Sequence, residues 1–172
     1  MPSESTEGHR REARERPPAR VAVITLSDTR TPESDESGRI IREMLGTAGH
    51  KVVHYAVMRD EPDELAASIR GLAATGNCDV ILTNGGTGIA PRDGTYEAVS
   101  QLIERPLPGF GELFRMLSWH EVGAAAMLSR AAAGLIGTTL VFAMPGSRNA
   151  VRLAMEQLIV PELAHLVWEM RK

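Results

Sequence analysis

The chain has 172 residues and a formal net charge of −3, which suits one domain with a full hydrophobic core. That charge argues against a general nucleic-acid binder, which needs a basic surface, and no apolar stretch reaches the roughly 18 residues of a membrane span. The single cysteine, Cys78, cannot form an internal disulfide, and the N-terminus lacks the apolar segment of a secretory signal. We therefore expect a cytoplasmic protein with no membrane or nucleic-acid partner.

The chain opens on a charged segment that ends in Pro17-Pro18 and has no apolar periodicity. Such a composition cannot bury enough apolar surface to offset the entropy of ordering. We predict a disordered tail over residues 1–19 and an ordered domain over residues 20–172.

Four apolar runs rich in β-branched residues predict strands that are buried on both faces, as in a parallel sheet. They cover residues 21–26, 51–58, 79–83 and 138–147. Apolar residues at helical spacing follow the first three strands, and Pro62 and Thr95 are expected in the first turn and at the N-cap of the second and third helices. The alternation predicts a single α/β domain with a doubly wound, mostly parallel sheet flanked by helices.

The segment from Pro106 to Gly134 predicts helix without any strand, and the last segment predicts one or two helices broken near Pro161. The large apolar side chains and the alanine runs of the segment from Pro106 to Gly134 favour a surface that another subunit covers, although they could instead form one side of the monomer core. The large side chains are Phe110, Phe114, Met116, Leu117, Trp119, Val122, Met127 and Leu128, and the alanine runs are 124–126 and 131–133.

The third strand runs directly into a glycine-rich loop, Gly85-Gly86-Thr87-Gly88. The carboxyl ends of parallel strands are where ligands bind in such folds. Successive glycines let backbone N–H groups converge on an anion, and the next helix presents its positive N-terminus. A tight turn would need only one glycine, so this loop favours a phosphate-bearing ligand.

The loop lacks the lysine that a P-loop uses to balance phosphate charge. Arg92, Arg148 or a metal ion could balance it instead. Asp60 and Asp93, which the sequence places at the ends of adjacent strands, are the hard oxygen ligands that Mg²⁺ prefers. The residues alone leave two other roles open, a loop charge for Asp60 and a helix cap for Asp93. Arg130 could likewise reach a phosphate or form a surface salt bridge.

Five motifs resemble the MoaB/MogA family of molybdenum-cofactor biosynthesis proteins: "SDTR", "TNGGTGIAPRD", "LPGFGELFRMLS", "LSRAAAG" and "MPGS". The resemblance extends from Val21 onward, and "GFGELFRMLSWHEVG" and "VFAMPGS" are closer to the MoaB branch. It implies an α/β domain that binds molybdopterin. In active members it also implies transfer of AMP from Mg-ATP to the terminal phosphate, with Mg²⁺ as cofactor and ATP and molybdopterin as substrates.

By motif, the resemblance places the catalytic and metal-binding aspartates at Asp60 and Asp93. The ligand-binding residues that we then predict are Asp28, Thr83, Gly85, Gly86, Thr87, Gly88, Pro108, Gly109 and Ser147. The family also implies a homotrimer or a hexamer, and the MoaB branch favours the hexamer. Tyr96 stands where the family often has proline, which should affect only how the helix begins. A molybdopterin carrier without catalysis and a generic nucleotide-binding module remain alternatives.

Overall fold

The structure is a computed structural model that describes residues 17–172 together with Gly8 and Glu12. The predicted tail lies almost entirely outside the described residues, so the tail and its boundary stay predictions. None of the described helices is both long and apolar enough to cross a membrane.

In the described part of the chain, six strands form one sheet. In chain order they are β1 (Arg20–Leu26), β2 (Lys51–Met58), β3 (Val80–Asn84), β4 (Arg105–Pro106), β5 (Ala132–Ile136) and β6 (Thr139–Met144). Their order across the sheet is β2-β1-β3-β6-β5-β4. The four predicted strands, β2, β1, β3 and β6, pair in parallel, whereas β5 and β4 add an antiparallel edge. The predicted α/β class with a mostly parallel sheet is confirmed.

Within residues 17–172, six α-helices cover the two faces of this sheet. They are α1 (Glu36–Thr47), α2 (Pro62–Thr75), α3 (Thr95–Leu102), α4 (Pro108–Val122), α5 (Arg148–Ala154) and α6 (Val160–Met170). A 3₁₀ helix (Gly123–Leu128) follows α4, and a π-helical turn (Met155–Ile159) joins α5 to α6. That turn ends at Ile159, just before Pro161 in the first turn of α6, and the ring nitrogen of proline has no proton to donate. The predicted break is therefore a change in hydrogen-bonding pattern within continuous helix.

Two of the predicted helix details have different outcomes. Pro62 is in the first turn of α2, as predicted. The prediction of Thr95 as an N-cap is wrong, because Gly94 precedes α3 and the Thr95 hydroxyl donates to Oδ1 of Asp60 at 3.3 Å.

The prediction that no strand lies between Pro106 and the last strand is also wrong. β5 contains an Ala-Ala-Gly run, and its pairing with β6 overrides the helix propensity of alanine. Small residues are needed here because a Cβ on Gly134 would lie 2.5 Å from the carbonyl oxygen of Arg105 in β4. Pairing with β6 and the close approach of β4, and not an apolar pattern, therefore determine this strand.

Alternate residues of the central strands point to opposite faces, which gives the sheet two separate cores. Val21, Val23 and Leu82 pack with α1, α4, α5 and α6 on one face. Ile24 and Ile81 pack with α2 and α3 on the other. Because both faces are covered, functional groups can gather only at the edges of the sheet or around its helices.

Asp79 marks the edge of the sheet opposite to the ends of the parallel strands. Its buried carboxylate accepts hydrogen bonds from Nη2 of Arg20 at 2.8 Å and from Nη2 of Arg171 at 2.7 Å. Burial alone would raise the pKa of this carboxyl, but the bonds from Arg20 and Arg171 outweigh it and lower the pKa to about 2. Asp79 thus ties the last residues of the chain to β1.

We predict that Asp79→Asn lowers the free energy of unfolding by roughly 2 kcal/mol at pH 7. A carboxyl whose pKa is lowered by folding stabilises the protein above its ordinary pKa of 3.8, and that contribution is lost as the pH falls toward 2. The difference between wild type and variant should therefore shrink over this range. Urea unfolding at pH 7 and near pH 2.5 measures it, and an equal difference at both pH values would contradict the prediction.

Candidate functional site

The glycine loop lies at the carboxyl edge of the sheet and has a backbone that only glycine adopts readily. Gly85 and Gly86 have φ angles of +101° and +64°. The N–H of Gly85 donates to the carbonyl of Met144 at 3.1 Å, so the loop is joined to the end of β6. Gly146 completes this junction, since a Cβ there would lie 2.9 Å from Cα of Gly85.

Three consecutive carbonyls of the loop are held by donors from elsewhere in the chain. The carbonyl of Gly86 accepts from the N–H of Thr95 at 3.0 Å. The carbonyl of Thr87 accepts from Nε of Arg130 at 2.8 Å, and the carbonyl of Gly88 accepts from Nη2 of the same side chain. Hydrogen bonds to these three carbonyl oxygens therefore hold the loop in one conformation.

Fixing these oxygens also sets the direction of the next amides. In a trans peptide the C=O and the following N–H point in opposite directions. The N–H groups of Thr87, Gly88 and Ile89 consequently point away from the donors, and none of them donates a hydrogen bond to another described residue. A row of free backbone donors is the usual construction of an anion-binding loop.

A cleft of about 290 Å³ adjoins the loop. This is close to the lower end of the range for small-molecule sites. Its lining residues come from the loop, α4, the 3₁₀ helix, the turn after β6 and α5, and they are Gly86, Thr87, Gly88, Ser118, Glu121, Val122, Leu128, Ser129, Pro145, Gly146, Ser147, Asn149, Ala150 and Leu153. Polar and apolar groups thus share the lining of a space that adjoins the amides of Thr87 and Gly88.

Four of the predicted ligand residues line the cleft: Gly86, Thr87, Gly88 and Ser147. Ser147 also caps α5, because its hydroxyl accepts from the N–H of Ala150 at 3.3 Å.

Four polar lining residues were missed: Ser118, Glu121, Ser129 and Asn149. One signal could have revealed two of them, since Ser118 and Glu121 are three residues apart and so share a face of α4.

Two carboxylates contact the glycine loop, Asp60 at Gly86 and Asp93 at Gly88. A Cβ on Gly86 would lie 2.5 Å from both carboxylate oxygens of Asp60, and a Cβ on Gly88 would collide with Oδ2 of Asp93. That Asp93 oxygen accepts from the N–H of Ala90 at 3.0 Å. The loop thus has room for these two acidic groups because it lacks side chains at these positions.

The predicted position of the two aspartates needs correction. They do not follow adjacent strands, because β1 lies between β2 and β3. Asp60 and Asp93 come together because the segment from Gly85 to Asp93 contacts the loop after β2.

Burial raises the pKa of the Asp60 carboxyl, the hydrogen bond from Thr95 opposes this rise, and the charges of Asp93 and Asp28 add to it. In the part of the chain that the structure describes, no group of three or more His, Cys, Asp or Glu side chains is arranged to hold a metal ion. Two carboxylates are nevertheless sufficient for Mg²⁺, which keeps several waters and shares its other positions with substrate phosphates. The residues present therefore fit a magnesium ion that binds together with a phosphate ligand.

Asp28 lies near Asp60 but has its own cationic partner. Its oxygens accept from Nε and Nη2 of Arg92 at 2.6 and 3.0 Å, and Oδ1 accepts from the backbone N–H of Asp60 at 3.4 Å. The bond from Arg92 lowers the pKa of the Asp28 carboxyl. Arg92 also contacts Glu61 at 3.3 Å, so it links the loops after β1, β2 and β3.

Five predicted ligand residues do not line the cleft: Asp28 and Gly85, described above, and Thr83, Pro108 and Gly109. The Thr83 side chain is buried within the sheet, where its hydroxyl donates to the carbonyl of Phe142 at 3.2 Å. Pro108 and Gly109 form the first turn of α4, and Pro108 lines a different groove beside Tyr96.

A doubly wound α/β domain with free loop amides, two carboxylates and a cleft at one edge is a domain built to bind an anionic small molecule. Residues 22–165 match the sequence profile of the family described as "Probable molybdopterin binding domain". The chain therefore belongs to this family of molybdenum-cofactor biosynthesis proteins.

Individual relatives place the chain nearer to MoaB than to MogA. Molybdenum cofactor biosynthesis protein B of Bacillus subtilis strain 168 is 50% identical over 169 residues, which cover 98% of each chain. A crystal structure of molybdenum cofactor biosynthesis protein B is 49% identical, with a TM-score of 0.88 over 91% of this chain and 98% of the other. A solved structure of MogA is 27% identical, with a TM-score of 0.80 over 88% and 99%.

Proposed function

We propose that this chain binds molybdopterin in the cleft and adenylylates its terminal phosphate with Mg-ATP. One observation carries the proposal: the free amides of Thr87, Gly88 and Ile89 lie in the same glycine loop that the carboxylates of Asp60 and Asp93 contact. Amide donors suit the oxygens of a phosphate, and carboxylates suit the metal ion that accompanies it.

The lining of the cleft supports a pterin as the larger part of the ligand. Val122, Leu128 and Leu153 offer apolar contact for a flat ring. Ser118 and Asn149 offer hydrogen bonds to its polar edge. The family description and the name of the Bacillus subtilis relative point to the same ligand class.

The chain's own residues would act by positioning and by charge. The loop amides would orient the terminal phosphate, and Thr95 would orient the Asp60 carboxylate through its hydroxyl. Asp60 and Asp93 would hold Mg²⁺, which when bound neutralises phosphate charge. A phosphate oxygen of molybdopterin would attack the α-phosphorus of ATP, forming one P–O bond while the bond to the β-phosphate breaks and pyrophosphate leaves. No covalent enzyme intermediate is required.

One observation favours the alternative of a carrier without catalysis. Asp93 already has a structural role, since it accepts from the N–H of Ala90 within its own loop. A binding protein could retain Asp93 for this reason alone. The enzyme and the carrier share the ligand and differ in turnover.

Equilibrium binding to the purified chain, measured separately with molybdopterin and with ATP, tests the assignment of the ligand. The proposal expects molybdopterin to bind without ATP, because the cleft and the amides need no nucleotide. Binding of ATP with no binding of molybdopterin would instead indicate the generic nucleotide-binding module.

A cytoplasmic location stays a prediction.

The proposed assembly rests on an exposed apolar surface on α4 and the 3₁₀ helix. Phe110 and Phe114 do not belong to it, because both are buried in the core. Phe110 packs edge-to-face on Phe142, with 4.9 Å between the ring centroids. The exposed members are Leu113, Met116, Trp119, Val122, Met127 and Leu128. Several exposed large apolar side chains on two consecutive helices favour an interface, which supports a homotrimer or a hexamer.

We predict a solution mass of three or six times the 18.6 kDa monomer, with the hexamer favoured. Trp119→Lys should shift the protein toward monomer, because it places a charge in the exposed surface, where Trp119 is 59% exposed. Val53→Lys is the matched control, since Val53 is 47% exposed on β2. Light scattering at micromolar concentration measures all three proteins. A wild type near 18.6 kDa would contradict the prediction.

A further inference from the structure

Arg130 connects the segment before β5 to a loop that is 42 and 43 positions away along the chain. Its guanidinium donates to the carbonyls of Thr87 and Gly88 through two different nitrogens. A guanidinium presents its N–H donors as a rigid planar fork, which suits two acceptors that lie side by side. Arg130 is thus the one described side chain that holds two successive peptides of the glycine loop.

Two neighbours fix the guanidinium in this position. Glu97 forms an ion pair with it, and Nη2 of Arg130 lies 3.2 Å from Oε2 of Glu97. The ring of Tyr96 lies over the guanidinium, with 4.9 Å from Cζ to the ring centroid. The residue that replaces the family's proline therefore does more than begin α3, since it also packs against Arg130.

The Arg130 guanidinium binds the carbonyls of both Thr87 and Gly88. The N–H groups that follow them, those of Gly88 and Ile89, therefore both point away from the guanidinium. Thr87 and Gly88 line the cleft, whereas Arg130 does not. We infer that Arg130 is a positioning residue, which aims these amides at the anionic ligand without touching the ligand. This assignment replaces the phosphate contact that the sequence left open for Arg130, whereas the salt bridge that it also left open is present with Glu97.

The effect on ligand binding rests on the proposed function, whereas the effect on the loop does not. Without the fork, the peptides at Thr87 and Gly88 lose the donors that orient them. A lysine can supply one charged donor but cannot span two carbonyls and Glu97 in one plane. Lysine at this position should therefore restore the loop only in part.

The test compares Arg130→Met, Arg130→Lys and a control, Arg39→Met, whose guanidinium pairs with Glu36 and Glu43 on the surface of α1. Circular dichroism first establishes folding. Crystal structures without ligand should show the Thr87 and Gly88 carbonyls reoriented in Arg130→Met and unchanged in Arg39→Met. Unchanged carbonyls in Arg130→Met would overturn the inference, whether or not molybdopterin binds to any of the proteins.

Molybdopterin affinity gives the second measurement. Arg130→Met should bind about tenfold more weakly or worse, Arg130→Lys should lie between it and wild type, and Arg39→Met should match wild type. Guanidinium at millimolar concentration should restore part of the affinity of Arg130→Met, an effect that general loss of stability would not produce. If wild type binds molybdopterin and Arg130→Met binds it equally well, the inference fails while the proposed function stands. If wild type does not bind it, the proposed function fails and the crystal structures alone decide.

If Arg130→Met does not fold, Arg130→Lys takes its place in both measurements. Its loop carbonyls should then be partly reoriented and its affinity reduced. A lysine variant with the wild-type loop and the wild-type affinity would overturn the inference.

Discussion

An Asp93→Asn protein should fold, bind molybdopterin and lose adenylyl transfer, with a fall in rate of about 10²-fold or more. Asparagine has nearly the same shape, and its side-chain oxygen can still accept from the N–H of Ala90, so the loop should keep its conformation. What the variant lacks is the negative charge that the proposed magnesium site requires. The rate of AMP transfer, measured beside molybdopterin affinity, separates the two effects.

Asp63→Asn is the matched control for this experiment. Asp63 is an exposed aspartate in the first turn of α2. Its amide variant should transfer AMP at the wild-type rate. Normal turnover in folded Asp93→Asn would remove the role proposed for the carboxylate.

Gly86→Val should abolish binding of molybdopterin. A Cβ at this position would lie 2.5 Å from both oxygens of Asp60 and would also collide with the hydroxyl of Thr95. The positive φ of +64° adds backbone strain of roughly 1–3 kcal/mol for a residue with a side chain. The variant should therefore be less stable and should have both the loop and Asp60 displaced.

Gly76→Val separates the strain from the displacement. Gly76 has a φ of +63° at the end of α2, and no atom lies within 4 Å of the place that a Cβ would occupy. This control should lose stability through strain alone and bind molybdopterin like wild type. If folded Gly86→Val also binds molybdopterin normally, the glycine loop serves only as a turn.

The parallel part of the fold was accessible from the sequence because each buried strand has its own apolar run. β3 and β6 show this most clearly, since every residue in both strands is buried. β5 was not accessible because Ala132, Ala133 and Gly134 have no strand pattern. Their conformation follows from hairpin pairing with β6 and from the close approach of β4, which is distant from them in the sequence.

The candidate site also has some features that could be predicted from the sequence and others that could not. The glycine loop was predicted because its conformation depends on local backbone freedom, which Gly85 and Gly86 reveal directly. Arg130 could not be assigned, because its role depends on where a long side chain ends after the chain has folded. The pairing of Arg92 with Asp28, which are 64 positions apart, was missed for the same reason.

Incubation of the purified chain with molybdopterin, Mg²⁺ and ATP labelled at the α-phosphorus tests the central proposal most directly. We predict that mass spectrometry will detect labelled AMP joined to molybdopterin, together with released pyrophosphate, and that Asp93→Asn will form neither. If wild type binds molybdopterin under these conditions and returns it unmodified, the chain is a carrier and the proposed adenylyl transfer is wrong.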